Sequence, residues 1–163
     1  MNELTKILEK YAQYVVDKSR ANLKKGGKNG TSDKSGKLSQ SIEYKIVNDK
    51  VTFLSQNYGS FLDQGVKGSK STYPESNASP FKYTNKRPPA SVFDKWSIKS
   101  GIAPRDKKGR FMKRKSLGFI IANSIFKKGI RATGFFTKAQ DQALPLFEDD
   151  MLDAFLNDNL KIE

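Results

Sequence analysis

Two Ser-x-x-Lys spacings, Ser79/Lys82 and Ser124/Lys127, are the first residues of this chain that could do chemistry, as a serine nucleophile with a lysine base. The chain holds 16 Ser and 24 Lys, so chance supplies as many such matches as are seen. Histidine is absent, which removes Ser-His-Asp and Cys-His nucleophiles, histidine zinc sites and any imidazole base. Cysteine is absent too, and with it disulfides and thiolate metal sites. The stretch "GTSDKSGKL" approaches a phosphate-binding loop. It puts five residues rather than four between Gly30 and Gly36, and Leu38 stands where a magnesium-binding hydroxyl belongs. Glu148, Asp149 and Asp150 are consecutive, and on a helix successive side chains point about 100° apart, so they do not converge on one ion. No catalytic, cofactor or metal constellation emerges, and the expectation is a protein that is not an enzyme and uses no cofactor.

What remains is charge and aromatic residues. The 163 residues carry a net charge of +13, unevenly spread. Residues 1–145 hold 29 Lys and Arg against 11 acids, whereas 146–163 hold one Lys against six acids. The densest basic run is "RDKKGRFMKRK", with Arg105, Lys107, Lys108, Arg110, Lys113, Arg114 and Lys115 against the single Asp106. Such a run binds nucleic acid or an acidic protein surface, or is simply a solvated loop. The acidic tail, with Asp149, Asp150 and Asp153, suggests copies docking head to tail with opposite charges facing.

The segment "FKKGIRATGFF" (126–136) sets Lys127, Lys128 and Arg131 beside Phe135 and Phe136, the ingredients of electrostatic tracking and base stacking. "ATGFFTKA" does not fit the RRM aromatic motif, and adjacent residues of a strand face opposite ways. The better reading is an anchor: Gly129 ends a helix, Gly134 permits an unusual backbone, and Phe135 or Phe136 is buried.

Several elements must position these residues. Residues 3–23 read as a helix with a Leu4, Leu8, Tyr11 and Val15 stripe flanked by Ile7 and Tyr14, ended by Gly26 and Gly27. Residues 39–47 alternate as a strand, with Ile42, Tyr44 and Ile46 on one face. Asn48-Asp49-Lys50 turns it into a second strand, "VTFLSQ". Pro88-Pro89 suits a helix start, with Val92, Phe93 and Trp96 on one side and Gly101 closing it. Ser116 is placed to cap a helix carrying Leu117, Ile121 and Ile125, with Gly129 just past its end. A last helical stretch, interrupted at Pro145, carries a Phe147, Met151 and Phe155 stripe with Leu152 and Leu156 beside it. Segments around 24–36, 66–87 and 104–115 are polar and read as mobile loops, and 146–163 as an acidic helical tail. No repeat or domain boundary is visible, so a single domain over 1–163 is expected. No apolar run approaches the roughly 18 residues that would span a bilayer, and the start lacks a signal-peptide layout, so a soluble protein away from membranes is expected.

In order, these elements resemble the tail-component family of double-stranded DNA phages, the neck and tail-completion proteins described as gene-product-ten-like. That family carries a Thr-Gly-x-Leu-x-x-Ser-Ile element opening its first strand. Here Ser35-Gly36-Lys37-Leu38-Ser39-Gln40-Ser41-Ile42 is similar to it, with Ser35 for Thr. A Tyr-x-x-[Tyr/Phe]-[Val/Leu]-Glu-x-Gly-Thr element follows the second strand. Tyr58-Gly59-Ser60-Phe61-Leu62-Asp63-Gln64-Gly65-Val66 matches it with Asp63 for Glu and Val66 for Thr. Pro88-Pro89 with Trp96, and Gly129-Ile130 with Phe135-Phe136 and Ala139, resemble two further elements of the family.

The resemblance implies an α+β fold in which a small antiparallel sheet packs against a long N-terminal helix and a C-terminal helix. It also implies a structural virion protein, made in the bacterial cytoplasm. Copies would assemble as a homo-oligomeric ring at the head–tail junction or top of the tail, between the portal or connector and the tail tube or other tail proteins. Its surface would allow weak, non-specific DNA contact. The competing expectation is a basic nucleic-acid-binding protein of packaging or regulation.

Overall fold

The computed structural model describes residues 2–25, 33 and 35–160. In chain order it runs α1 (Glu3–Lys25), α2 (Lys37–Ser41), β1 (Glu43–Val47), β2 (Lys50–Leu54), α3 (Gly59–Gln64), β3 (Val66–Lys67), a 3-10 turn (Pro74–Ser76), α4 (Ser91–Lys99), α5 (Arg114–Lys128), β4 (Gly129–Ile130) and α6 (Thr137–Asn159). The fold is α+β, with two small antiparallel sheets, β1–β2 and β3–β4. Two compact units are formed, one from Met1–Asp63 with Thr133–Glu163, the other from Gln64–Ala132.

In the first unit, Asn2 opens α1 by accepting the Thr5 N–H at 2.8 Å on its side-chain oxygen. Lys24 and Lys25, expected in the following loop, instead finish the helix; most of the expected 24–36 loop, with Gly26 and Gly27, lies outside the described residues. Leu4, Leu8 and Val15 are buried as the stripe requires, and Ala12, Val16, Ser19 and Leu23 widen the buried face. Antiparallel to α1 lies α6. The Leu4 N–H donates to Asp158 at 2.9 Å at one end, and the Asn22 side chain donates to the Phe135 carbonyl at 2.9 Å at the other. Small side chains on α6, Ala139, Ala143 and Ala154, are buried and let the two helices approach closely.

Two expectations for α6 are corrected. Pro145 does not interrupt it, because the hydrogen bond that proline forfeits would reach the Asp141 carbonyl, and both residues are exposed to water. The packed side runs through Ala139, Ala143, Phe147, Met151 and Ala154, while Leu152, Phe155 and Leu156 are exposed.

β1 and β2 pair from Glu43↔Leu54 to Val47↔Lys50. Asn48 and Asp49 both take positive φ (49° and 55°) in the two-residue turn, a backbone these two side chains tolerate, and Lys50 already belongs to β2. Ser39, Gln40 and Ser41, expected in the first strand, are helical, and the strand opens only at Glu43. The reason is local: Asp33 accepts the N–H groups of Leu38 and Ser39 and caps a short helix there. The hairpin's inner side chains Tyr44, Ile46, Val51 and Phe53 pack against α1, Leu38, Ile42, Phe135 and α6 residues in three contiguous clusters. Edge-to-face contacts join Tyr11 to Phe53 and Phe147, Tyr14 to Phe147, and Phe53 to Phe136.

The second unit is built differently. Its buried residues include Gly65, Val66, Gly68, Ser76, Ser79, Ser97, Gly118, Ala122 and Gly129, so backbones approach each other over small side chains. α5 crosses α4 where Gly118 faces the Ala90 carbonyl; a Cβ there would lie 2.6 Å from that oxygen. The helix-end carbonyls of Phe126 and Lys127 accept the N–H groups of Ser69, Lys70 and Ser71. Part of the expected 66–87 loop is therefore tied to α5. Its other end is fixed by exchange between Lys67 and the Phe81–Tyr83 segment.

Three further expectations change here. Pro88 and Pro89 precede α4 instead of opening it, the chain turning through Val92 N–H to Pro89 and Phe93 N–H to Ala90. Val92 and Trp96 are exposed, and Ser97 is the buried residue of α4. Ser116 does not cap α5; extended Lys113 starts the helix at Arg114 and leaves Ser116 inside its first turn. Gly101, with φ 64°, does follow the end of α4 as expected.

Candidate functional site

The residues carrying the family resemblance gather mainly at two places. The first is the α2 corner. Gly36 takes φ 70° to enter the helix, Leu38 and Ile42 are almost fully buried, and Ser41 donates to the Leu38 carbonyl while accepting the Gln56 N–H. Arg20, not singled out from sequence, reaches from α1 to the Ser39 and Ile42 carbonyls at 3.0 and 2.9 Å. A cation three residues before the α1 core position Leu23 gave no signal of this role, because its partners are backbone atoms.

The second place joins residues some seventy positions apart. Asp63 is buried at the end of α3, and one carboxylate oxygen accepts the N–H groups of Phe136 (2.8 Å) and Thr137 (3.2 Å), the first turn of α6. The other accepts the Thr137 hydroxyl at 2.5 Å. No side chain of the α6 entry caps the helix, so a carboxylate from a distant element does it, at the end where the helix macrodipole favours negative charge. Beside it the Leu62 and Asp63 carbonyls accept the N–H groups of Thr133 (3.0 Å) and Gly134 (2.9 Å). Gly134, at φ 61°, has the unusual backbone expected of it. Phe135 is only 4% exposed and sits in the core cluster; Phe136 is half-buried against Phe53. The anchor expectation therefore holds for Phe135. Tyr58 and Phe61, from the same element as Asp63, are exposed. Burial, and then the charge of Asp33, hold the Tyr58 phenol above its ordinary value near 10.

In the second unit, Val66 pairs with Ile130 and Lys67 with Gly129. Both flanking glycines are required by this approach. At Gly65, φ is 74° and a Cβ would fall 2.2 Å from the Ser76 hydroxyl and 2.6 Å from the Ala132 nitrogen. At Gly129, φ is 81° and a Cβ would fall 2.1 Å from the Val66 carbonyl. Ser76 completes the junction by donating to the Ile130 carbonyl at 2.7 Å and accepting the Ala132 N–H at 2.9 Å.

The basic run is a shaped hairpin tip. Arg105 bridges to Phe111, lies 4.2 Å over its ring and donates to the Gly109 carbonyl. Asp106 is occupied: it accepts the Arg110 and Lys108 N–H groups and pairs with the Arg110 guanidinium at 3.0 Å. The Arg110 amide, followed by its side chain and the Lys108 amide, holds the Asp106 carboxyl below the ordinary carboxylate range. Lys107, Lys108, Lys113, Arg114 and Lys115 are exposed. Asp149, Asp150 and Asp153 are exposed on α6, in the other unit.

The spacings that suggested chemistry resolve into structure. The Ser79 hydroxyl is buried, donating to the Gly65 carbonyl and accepting the Phe81 N–H, while Lys82 is exposed. Ser124 and Lys127 both lie exposed on α5. Among the described residues no group of three or more carboxylates is arranged to hold a metal ion, and no helix is long and apolar enough to cross a membrane. No protein-family model, curated protein or solved structure matches this chain.

Proposed function

We propose that this chain is a structural subunit of a tailed-phage virion. Copies assemble at the head–tail junction or the top of the tail and join the connector to the tail. The observation that carries the reading is how two elements of the resemblance, Tyr58–Val66 and Gly129–Ala139, are used within each unit: Asp63 caps α6 in the first, and Val66 pairs with Ile130 in the second. Asp63, Gly65, Gly129 and Phe135 each have a scaffold role that their residue type explains. Motif residues spent on holding a fold, with charge and apolar side chains left at the surface, suit a protein that works by assembling.

The test is removal of the gene in the phage that encodes it. Lysates should then contain DNA-filled heads and separate tails by electron microscopy, and complementation should restore joined particles. Infectious, normally joined particles lacking the protein would overturn the proposal. Genes for portal, capsid and tail tube beside this one are the accompanying genomic expectation.

A second reading, nucleic-acid binding, is favoured by one feature: the Arg105–Phe111 stack among uncompensated lysines at the hairpin tip. A dedicated binder would keep nanomolar-range affinity for preferred DNA at physiological salt. The structural subunit shows at most weak binding that falls steeply with salt.

A further inference from the structure

Two surfaces of this chain set exposed apolar side chains beside charge of a single sign. On α6, Leu152 (56% exposed), Phe155 (50%) and Leu156 (40%) stand exposed among Asp149 and Asp153. The last turn of that helix contains no basic residue, so no cation there offsets these acids. In the other unit, α5 begins with Arg114 and Lys115 behind Lys113, has no acid in its first turn and no side-chain cap. Cations thus sit at the positive end of that helix. Around them Phe111 (71%), Phe119 (52%) and Ile120 (52%) are exposed. Asp106, the one acid of the run, is already engaged by its own turn and neutralises none of the three.

We infer that these surfaces are the two halves of one contact between copies of this chain: the Leu152–Phe155 stripe of α6 on one copy seats against Phe111, Phe119 and Ile120 on the next. Asp149 and Asp153 then meet Lys113, Arg114 and Lys115. Both sides have apolar area to bury, and the charges are complementary in sign, so the start of α5 gains the negative counter-charge it lacks. DNA on the basic surface would satisfy the cations but leave Ile120 and the whole α6 stripe without a partner. The two surfaces are different patches of one chain, so the contact is heterologous and propagates from copy to copy until a ring closes. This deepens the proposed virion role and rests on it for its setting, although the contact itself is tested on purified protein.

The test uses two full-length variants with separate lesions: Leu152→Asp/Phe155→Asp, which spoils the α6 stripe, and Lys113→Glu/Lys115→Glu, which reverses the basic surface. All four positions are exposed, and far-UV circular dichroism checks that both variants fold. In sedimentation velocity the wild type should grow beyond a dimer as concentration rises, and less so at 0.5 M salt. Each variant alone should associate at least about tenfold more weakly, through lost apolar anchors in the first and like charges brought face to face in the second. An equimolar mixture should stop at the dimer, because only one intact pair of surfaces remains.

A wild type that stays monomeric, variants that associate like wild type, or a mixture that grows past the dimer each overturns the contact. So does a Lys113→Glu/Lys115→Glu protein that loses binding to a short DNA duplex but keeps full self-association. The virion reading is scored separately by mass spectrometry of purified particles. A protein absent from particles whose variants still form the mixed dimer removes that reading and keeps the contact, and the converse result does the reverse.

Discussion

Replacing Asp63 by alanine removes three hydrogen bonds at once, two from backbone N–H groups of the α6 entry and one from the Thr137 hydroxyl. No neighbouring side chain caps that end of the helix in its place. Loss of a helix cap costs about 0.5–2 kcal/mol, and leaving a shielded amide such as that of half-buried Phe136 unsatisfied costs about 1–3 kcal/mol. These contributions overlap, so the expected loss is about 3 kcal/mol, or a fall of roughly 6–12 °C in Tm for a chain of this size. Asp63→Asn keeps one acceptor oxygen for the two amides and should cost only about 1 kcal/mol. Urea unfolding followed by far-UV circular dichroism measures both. A double-mutant cycle gives the sharper readout: Thr137→Ala should destabilise the wild type by about 0.5–1 kcal/mol and have almost no effect once Asp63 is alanine. An Asp63→Ala protein within about 0.5 kcal/mol of wild type, or a Thr137→Ala effect that persists undiminished, would refute the capping argument.

Other substitutions probe the rest of the framework. Gly129→Ala should destabilise far more than Gly101→Ala. Both have positive φ, costing about 1 kcal/mol for any side chain. Only at Gly129 would the new methyl also strike backbone, 2.1 Å from the Val66 carbonyl, with nothing within 4 Å at Gly101. Fluorescence of Trp96, the sole tryptophan, reports on the unit concerned, and equal losses at the two sites would count against the close-approach reading. Pro145→Ala should raise thermal stability by about 1–3 kcal/mol by restoring an interior helix hydrogen bond, and a melting experiment showing no gain would mean the Asp141 carbonyl already has an equivalent partner. Burial raises the Tyr11 phenol above 10, opposed by its hydrogen bond with Gln140. The unfolded chain therefore loses that proton first, and the stability this phenol contributes is complete below pH 10 and declines as pH rises through the folded value. Tyr11→Phe should flatten part of the alkaline decline in urea midpoints measured between pH 9 and 11, and an unchanged slope would refute the assignment.

α1 and the hairpin could be read from local periodicity and the Phe135 anchor from its flanking glycines, whereas the α+β class followed from the family resemblance. What could not be read depends on distant partners. Ser39–Ser41 directly precede the alternating residues of β1, yet Asp33 and Arg20 satisfy their backbone as a helix. The apolar stripe expected for α6 runs through Phe147, Met151 and Phe155, because large side chains look like core, and it leaves the packed side at Phe155. The helix instead packs through Ala139, Ala143 and Ala154, which periodicity weights lightly but which allow the closest approach to α1. The same bias made Val92 and Trp96 look like the inside of α4, when Ser97 is. The division of the chain at Asp63 and Ala132 leaves no compositional mark either. Both crossings lie inside the motif-bearing turns, with no linker rich in Gly, Ser or Pro at either point. Asp63 and Phe135 in the first unit, and Gly65 and Gly129 in the second, were visible through the family resemblance. Ser76 and Thr137 were not, since an isolated serine or threonine in a polar segment carries no distinguishing pattern.

The two units divide the chain's apolar side chains in opposite ways, and this bears on what each does. All three clusters of large buried side chains belong to the unit formed by Met1–Asp63 and Thr133–Glu163, where α1, the hairpin and α6 hold them. In the Gln64–Ala132 unit the buried positions are mostly Gly, Ser and Ala, held by backbone pairing and serine hydroxyls. Val92, Trp96, Ile98, Phe111, Phe119 and Ile120 are all exposed. A segment built this way forgoes the main driving force for folding, which is the removal of large apolar surface from water. That arrangement is costly for an isolated chain and would suit a subunit, because a neighbour covering these side chains would remove them from water. The exposed apolar residues of α6 pose the same question in the first unit, where the core is already complete without them. The proposed contact between copies would cover Phe111, Phe119 and Ile120 in one unit and the α6 stripe in the other, whereas DNA on the basic surface would leave Ile120 and that stripe exposed.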